Sequence, residues 1–328
     1  MEEIDIALAS DANYFPGLLV TSVSLARSAS RDVSLRFNLL DGGVGRENLA
    51  FLEKQLAAAH PRVRLRTFPV DEARFEAFPG WTGGSRMAYA RLLVAEVLSD
   101  LDFVLYCDVD FLWTADVAEL WSLRDGARVL GACADGWCLT LDREADWFAR
   151  HGLAFDPATY FCTGLLLINL RLWRAGDHGR RALEFLSAHP DVQFVDQTAL
   201  NAVLGAGEVA PLPGKWGRFS REIEARELGR AWAVHYAGCA PWHSNWLACP
   251  ITPADRRWYA FYGELTGLSA AEARRRFIPG REYLRRSLVY RRVRLPVARA
   301  LLFILLRLAG RGCYVPILAG KRLEVRRA

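Results

Sequence analysis

Two carboxylates one residue apart follow an apolar run in this sequence. Asp108 and Asp110 come directly after "FVLYC" and before "FLW". In a β-strand, residues i and i+2 point to the same side, and the carboxyl ends of parallel strands border the crevice where α/β sheets bind ligands. Two carboxylates this close repel each other, so one tends to hold a proton. A divalent cation removes that conflict, and oxygen ligands suit Mn²⁺ or Mg²⁺, which also bind phosphate oxygens. The alternative is an acidic turn without a metal.

A histidine further along the chain is the candidate third ligand. His235 begins the segment "HYAGCAPWH" and follows an apolar, strand-like run. A lone histidine in such a position is more often a core residue. In a chain that also carries the carboxylate pair it indicates a metal ligand, because an imidazole nitrogen suits Mn²⁺ better than Mg²⁺.

The elements that must position these residues alternate in type. The first part of the chain reads as strand 4–10, helix 17–29, strand 33–40, helix 45–60 and strand 63–70. This β-α-β-α-β order predicts a parallel sheet with helices on its faces. The later patterns predict a helix over 86–100, strands over 102–108, 128–135 and 163–170, a helix over 193–205 and a strand over 231–237.

Charge divides the chain near residue 270. The chain has 328 residues and a net charge of +5. Its apolar fraction of 52% is ample to form a large core. Residues 271–328 hold 16 basic and 3 acidic residues, whereas the remainder is acidic overall. We therefore predict a globular domain over 1–270 and a basic tail over 271–328 that binds a negatively charged partner.

The tail contains a 16-residue apolar run, 295–310, which includes Arg299 and Arg307. A membrane-spanning helix needs about 20 apolar residues, so the sequence favours an interfacial helix on an anionic membrane. The alternative is a helix packed on the core with a solvated basic face. Nucleic-acid binding is not expected, because the apolar run does not suit a surface that follows phosphates.

The N-terminus and the cysteines indicate the compartment. The first residues, "MEEIDIALAS", are acidic and lack an apolar leader, and the seven cysteines form no CxxC pair. These features predict reduced thiols and a cytoplasmic protein, peripheral on the inner face of the cytoplasmic membrane.

Motifs in order along residues 4–250 resemble glycosyltransferase family 8, which contains bacterial lipooligosaccharide galactosyl- and glucosyltransferases and glycogenin. The segments that carry the resemblance are "ALASDANY", "AYARLLVAEVL", "VLYCDVDFLW", "GACAD", "YFCTGLLLINLRLWR", "VDQTALN" and "HYAGCAPWH". The resemblance implies an α/β, Rossmann-like GT-A domain with a mixed sheet flanked by helices. It also implies a UDP-sugar donor, a metal ion, Mn²⁺ or Mg²⁺, and retention of anomeric configuration.

The resemblance assigns roles to individual residues. It places Asp108, Asp110 and His235 on the metal, and Gln197, Asp196 and Asp135 at the reacting centre as catalytic residues. The donor-binding positions that it implies are Ala9, Asp11, Asn13, Tyr14, Arg91, Asp108, Val109, Asp110 and Gly238.

Structural alternatives exist for these residues. Asp11 and Asn13 could cap the first helix or form a turn, and Arg91 could be a surface charge on a helix. Asp135 could cap a loop, and Gln197 could simply begin a helix.

Two positions depart from the family pattern. Ala240 precedes Pro241 where the family has a lysine that reaches the diphosphate, and Cys162 stands where the family usually has asparagine. The missing lysine removes a positive charge near a leaving group that gains negative charge, unless Arg91, Lys215 or a tail arginine replaces it.

The expected function is transfer of a hexose, galactose or glucose, from a UDP-sugar to a glycan or glycolipid acceptor such as lipopolysaccharide. The alternative is a catalytically weak module that binds sugar nucleotides and membranes. Retention by double displacement requires a nucleophile beneath the anomeric carbon, and the Gln197 amide is a poor one. A front-face route, in which the leaving phosphate takes the acceptor proton, stays open.

Overall fold

The structure is a computed structural model that describes residues 2–79, 85–125, 128–136, 138–223, 227–229, 231–238, 240–243, 251–280 and 283. The chain divides into two compact units, Met1–Gly217 and Arg218–Ala328. The boundary predicted between residues 270 and 271 falls at the start of a helix, Ala270–Phe277. The apolar run 295–310 and the rest of 284–328 lie outside the described residues, so the basic membrane-binding tail stays a prediction.

The first unit is built on a mixed seven-stranded sheet. Its strands are β1 (Glu3–Ser10), β2 (Ser34–Asp41), β3 (Val63–Pro69), β4 (Phe103–Cys107), β6 (Leu130–Ala134), β7 (Phe161–Asn169) and β8 (Val209–Pro211), and the short strand β5 (Phe111–Trp113) follows β4. The order across the sheet is β3-β2-β1-β4-β7-β6-β8. Strands β1 to β4 are parallel, β7 is antiparallel to β4 and β6, and β8 is parallel to β6.

Helices accompany these strands along the chain. They are α1 (Phe15–Ser28), α2 (Arg46–Ala59), α3 (Val94–Val97), α4 (Val117–Trp121), α5 (Cys138–Arg150), α6 (Leu170–Ala175), α7 (His178–Ala188) and α8 (Val195–Val203). Helix α2 buries only Leu52, Leu56 and Ala59, a spacing of four and three residues that defines one face of a helix. The predicted β-α-β-α-β order is therefore confirmed over the first three strands.

The segment predicted as a helix over 86–100 differs from a regular α-helix. Met87–Leu93 is a 3-10 helix, and only Val94–Val97 is α-helical. Six of the seven residues in this 3-10 helix are buried, so packing on both sides, rather than the helical spacing of the sequence, determines its conformation.

The second unit contains a pair of short parallel strands, β9 (Arg218–Phe219) and β10 (Ala233–His235), and helices α9 (Pro253–Thr266) and α10 (Ala270–Phe277). The ends of α9 follow from local chemistry: Thr252 and Asp255 form a capping box at its start, and Gly267 ends it at φ 72. Among the residues the structure describes, no helix combines the length and apolar character needed to cross a membrane.

Candidate active site

The carboxylate pair lies in the connection between β4 and β5. Strand β4 ends at Cys107 and β5 begins at Phe111, so Asp108 and Asp110 are not strand residues as the alternation argument assumed. Both are half-buried, and a carboxylate oxygen of one lies within 4.8 Å of a carboxylate oxygen of the other. A turn, rather than strand alternation, therefore brings the two carboxylates together at the carboxyl end of a parallel strand.

Hydroxyl groups of α1 hold the backbone that follows this pair. The Thr21 hydroxyl donates to the Phe111 carbonyl at 2.9 Å and accepts from the Phe111 N–H at 3.0 Å. The Ser24 hydroxyl accepts from the Trp113 N–H at 3.0 Å. These groups are buried, so the bonds satisfy backbone atoms that have lost water, and they fix the direction in which the chain leaves Asp110.

Arg91 joins Asp108 to a second carboxylate. Its guanidinium donates to Asp108 Oδ1 at 2.6 Å and lies 3.1 Å from Asp196 Oδ2. It also donates to the carbonyls of Thr163 and Ala88. Arg91 is only 3% exposed, so it is not a surface helix charge. The contact with donor phosphate or sugar that we inferred from the resemblance stays a prediction.

Burial and charge act in opposite directions on this arginine. Burial lowers the pKa of Arg91, but the carboxylates of Asp108 and Asp196 outweigh that effect and raise the pKa above its ordinary value. The guanidinium therefore remains charged. Two further hydroxyls stabilise the carboxylates, since Thr163 donates to Asp196 at 2.8 Å and Tyr106 donates to Asp108 at 3.2 Å.

Gln197 and Asp135 are in direct contact. Gln197 Nε2 donates to Asp135 Oδ2 at 2.9 Å and to the Tyr160 hydroxyl at 3.3 Å, while Gln197 Oε1 accepts from the Thr163 N–H at 3.2 Å. Both ends of the amide are thus bonded in a way that fixes its orientation. Through Thr163, the pair Gln197 and Asp135 is connected to Asp196 and Arg91, so the structure brings together the three residues predicted at the reacting centre.

The backbone that presents Asp196 and Gln197 is strained. Val195, the first residue of α8, has φ 43, which is an outlier for a β-branched side chain. Such conformations cost on the order of 1–3 kcal/mol and occur mainly where the surrounding structure over-determines them, often at functional sites. The packing around the start of α8 must therefore hold Val195 in this conformation.

The segment after β1 adopts the capping arrangement. Asp11 Oδ1 accepts from the N–H groups of Asn13 at 2.8 Å and Tyr14 at 3.1 Å, so Asp11 caps the short 3-10 helix Ala12–Tyr14. Burial, followed by the charges of Asp110 and Asp11, raises the pKa of Tyr14. The Tyr14 phenol therefore stays protonated near the carboxylate pair. The contacts of Asp11, Asn13 and Tyr14 with a base and ribose stay predictions.

In the second unit, His235 ends strand β10. Its ring is buried and lies on that of Phe219, with the centroids 5.5 Å apart. Gly238 has φ 68, a conformation that suits glycine because a side chain rarely tolerates it. The buried guanidinium of Arg221 donates to the Ala237 carbonyl, so a cation lies against the backbone just before Gly238.

Comparison with known proteins decides the family. The model of glycosyl transferase family 8 matches residues 5–246. This chain belongs to glycosyl transferase family 8. A putative glycosyltransferase of Haemophilus influenzae is 27% identical over 204 residues, which cover 62% of this chain and 59% of that protein. The lipopolysaccharide 1,3-galactosyltransferase of Salmonella typhimurium is 26% identical over 270 residues, which cover 76% of each chain.

A solved structure confirms the fold of this family 8 protein. The galactosyltransferase LgtC, crystallised with donor and acceptor sugar analogues, is 29% identical, with a TM-score of 0.67 over 80% of this chain and 96% of LgtC. The mixed seven-stranded sheet with flanking helices thus has the GT-A arrangement predicted from the sequence. Ala9 and Val109, predicted to contact the donor, are apolar and only 7% and 6% exposed, and their contacts with a nucleotide stay predictions.

The donor atoms of this family 8 chain suit a divalent cation. Asp108 and Asp110 each offer a carboxylate oxygen, and His235 offers a ring nitrogen. Charged oxygens suit both Mn²⁺ and Mg²⁺, whereas an imidazole nitrogen suits Mn²⁺ better, and His235 as the third ligand stays a prediction. The close approach of the two carboxylates is also what a cation would relieve.

Sequence reasoning missed several residues of this site. Thr163 and Tyr160 lie inside the motif "YFCTG", next to Cys162, which is half-buried and in no disulfide. Their polar side chains next to an apolar strand were the available signal. Nothing in the sequence indicated that Arg221 is buried, because an arginine in a loop is usually a surface residue.

Proposed function

We propose that this chain is a metal-dependent, retaining hexosyltransferase that moves galactose or glucose from a UDP-sugar to a glycan or glycolipid acceptor. The observation that carries the proposal is the continuous polar network from Asp108 through Arg91 and Asp196 to Gln197 and Asp135. It connects the residues proposed for the metal and the diphosphate with those proposed for the sugar. The relatives named above support the reaction class.

Asp108, Asp110 and His235 are the proposed metal ligands. A bound Mn²⁺ would polarise the diphosphate and stabilise the charge that develops on departing UDP. Arg91 holds the Asp108 carboxylate in one orientation, and the hydroxyls of α1 hold the backbone after Asp110. The protein thereby positions its ligand atoms before a nucleotide arrives, which lowers the reorganisation needed during reaction.

Asp135 and Gln197 are proposed to contact the transferred sugar. The Gln197 amide is bonded at both its nitrogen and its oxygen, which suits a group that orients hydroxyls rather than one that attacks carbon. Holding donor and acceptor in one geometry supplies a large part of the rate of such a transfer. This arrangement favours the front-face route over a nucleophilic attack by Gln197.

Arg221 is the proposed replacement for the family lysine absent at Ala240. Its guanidinium is buried and already lies against the backbone of Ala237, next to Gly238. Arg91 is less suited to that task, because it is engaged by Asp108 and Asp196. A fixed cation here would stabilise charge on the leaving diphosphate.

The proposed acceptor is a surface glycan such as lipopolysaccharide, and the proposed location is the inner face of the cytoplasmic membrane. The name of the Salmonella relative supports the acceptor class. The basic composition of residues 271–328 supports attraction to an anionic membrane.

The test measures UDP binding by calorimetry with and without Mn²⁺, and UDP release from UDP-galactose and UDP-glucose. The wild-type chain should bind UDP more tightly with Mn²⁺ and release UDP slowly from one donor. Asp108→Asn should lose the Mn²⁺-dependent gain. The matched control is Asp102→Asn, which removes an exposed carboxylate at the other end of β4 and should behave as wild type.

Two results would contradict the proposal in different ways. If Asp108→Asn keeps the full Mn²⁺-dependent gain in UDP affinity, Asp108 is not a metal ligand. Binding of UDP without release from any UDP-hexose would instead favour the non-catalytic binding module.

A further inference from the structure

A buried carboxylate lies behind the Gln197 amide, outside the residues used above. Glu144 is on α5 and is fully buried. Glu144 Oε2 accepts from the Tyr160 hydroxyl at 2.8 Å, and Oε1 accepts from the Thr198 hydroxyl at 3.1 Å. Burying a carboxylate costs free energy unless it is hydrogen-bonded, so these two hydroxyls explain how the fold tolerates Glu144. They do not explain why a glutamate, rather than a neutral residue, occupies this position.

The Tyr160 hydroxyl connects Glu144 with Gln197. With Glu144 ionised, the hydroxyl proton points to the carboxylate, and the phenolic oxygen is left to accept from Gln197 Nε2, 3.3 Å away. The same nitrogen donates to Asp135 at 2.9 Å. The direction of one hydroxyl proton therefore determines whether the Gln197 amide has acceptors for both of its hydrogens.

We infer that Glu144 is a positioning residue, which orients the Tyr160 hydroxyl and through it holds the Gln197 amide against Asp135. The inference rests on the proposed function, in which Gln197 and Asp135 contact the transferred sugar. Protonated Glu144 would compete as a donor for the phenolic oxygen, and the amide would lose one of its partners.

The surroundings of Glu144 make this arrangement sensitive to pH. Burial raises the pKa of Glu144 to about 7, against the smaller opposing effect of the bonds from Tyr160 and Thr198. The titratable groups that face it are Tyr160, from the segment before β7, and Asp135, which follows β6; α8 contributes the Thr198 hydroxyl. The ionised form that orients Tyr160 is therefore gained as pH rises through about 7.

The sequence offers a direct probe of the amide itself. The chain has only three glutamines, Gln55, Gln193 and Gln197, so labelling with side-chain ¹⁵N-glutamine gives three nitrogen resonances, one for each side-chain amide. Gln197→Glu assigns the signal of interest by its disappearance. In the full-length chain between pH 5.5 and 8.5, the Gln197 signal should shift with an inflection near pH 7, and Glu144→Gln should remove that inflection.

Turnover is the second measurement. The kcat for UDP release from the accepted UDP-hexose should rise with pH through about 7 and level off above it. Glu144→Gln should give a low, flat profile, about tenfold below wild type at pH 8, the scale of loss when a partner that orients a site residue is removed. The KM for the donor should change little, because Glu144 is fully buried and cannot contact a bound donor directly.

Two variants serve as controls. Asp142→Asn removes an exposed carboxylate from the same helix, and it should keep the wild-type amide shifts and pH profile. Tyr160→Phe keeps Glu144 but removes the connecting hydroxyl, so it should lose both inflections even if Glu144→Gln fails to fold.

An unchanged Gln197 titration in both Glu144→Gln and Tyr160→Phe would overturn the inference. Wild-type kcat at every pH in Glu144→Gln would overturn it as well. Failure of the proposed function is distinguishable, because the amide titration would still respond to Glu144 in a chain that releases no UDP.

Discussion

Replacing Arg91 by methionine should destabilise the fold strongly, and the size of the effect can be worked from its contacts. Arg91 and Asp196 are each 3% exposed, and removing one partner of a buried ion pair costs about 3–5 kcal/mol. Asp108 is partly exposed, so its contribution is about 1 kcal/mol or less. The net loss of roughly 3–6 kcal/mol is a large part of the 5–15 kcal/mol that stabilises a typical protein.

Urea unfolding at pH 7 measures this loss, and a double variant identifies its origin. Arg91→Met combined with Asp196→Asn should recover a large share of the stability, because the second change removes the carboxylate left unpaired. Arg66→Met is the matched control, since Arg66 pairs with Asp100 at the surface, where both side chains are solvent-exposed to a third or more. That control should cost less than about 1 kcal/mol. If Arg91→Met were as mild as Arg66→Met, or if Asp196→Asn recovered nothing, the arginine would not be the charge that the fold depends on.

Four further results are expected. Thr21→Val should lower the free energy of unfolding by about 1–3 kcal/mol, because it removes two hydrogen bonds between the buried Thr21 hydroxyl and the backbone of Phe111. Thr21→Ser should cost much less, and equal losses in the two variants would contradict this prediction. Burial raises the pKa of Glu144 from 4.5 to about 7, so the folded state binds this proton more tightly than the unfolded state does. The resulting stabilisation is complete below about pH 4.5 and is lost as pH rises through about 7. The melting temperature should therefore fall between these pH values in the wild type but not in Glu144→Gln. Arg221→Met should weaken UDP binding, and adding Ala240→Lys to that variant should restore it. If Arg221→Met binds UDP as tightly as the wild type does, Arg221 is not the cation that replaces the family lysine. Removal of residues 284–328 should abolish sedimentation with anionic vesicles and leave UDP affinity unchanged. If the shortened protein still sediments with the vesicles, the tail is not what binds the membrane.

The parts of the fold that depend on local pattern could be predicted from the sequence. The first three strands and the two helices between them were identified because apolar residues recur with period 2 or 3.6, a property of neighbouring residues alone. The helix predicted over 86–100 is confirmed over Met87–Val97, but the sequence did not reveal that Met87–Leu93 is a 3-10 helix, because burial of nearly every residue there leaves no polar face.

The same distinction applies to the candidate site, where some features depend on local sequence and others on contacts between distant residues. Motif order identified Asp108, Asp110, Asp135, Asp196 and Gln197, and local spacing was sufficient for the cap formed by Asp11 two residues before Asn13. The pairing of Arg91 with Asp108 joins residues 17 apart, and that of Gln197 with Asp135 joins residues 62 apart. No sequence period encodes such contacts.

The family, the order of strands and helices in the first part of the chain, and the residue types available for chemistry could all be predicted from the sequence. The folded chain was needed to find that Arg91 binds two carboxylates, that Gln197 is hydrogen-bonded at both ends of its amide, and that Glu144 is buried behind that amide. The physical reason is range: hydrophobic periodicity and capping act over a few residues, whereas the orientation of a polar side chain is set by the few donors and acceptors that packing brings within about 3 Å.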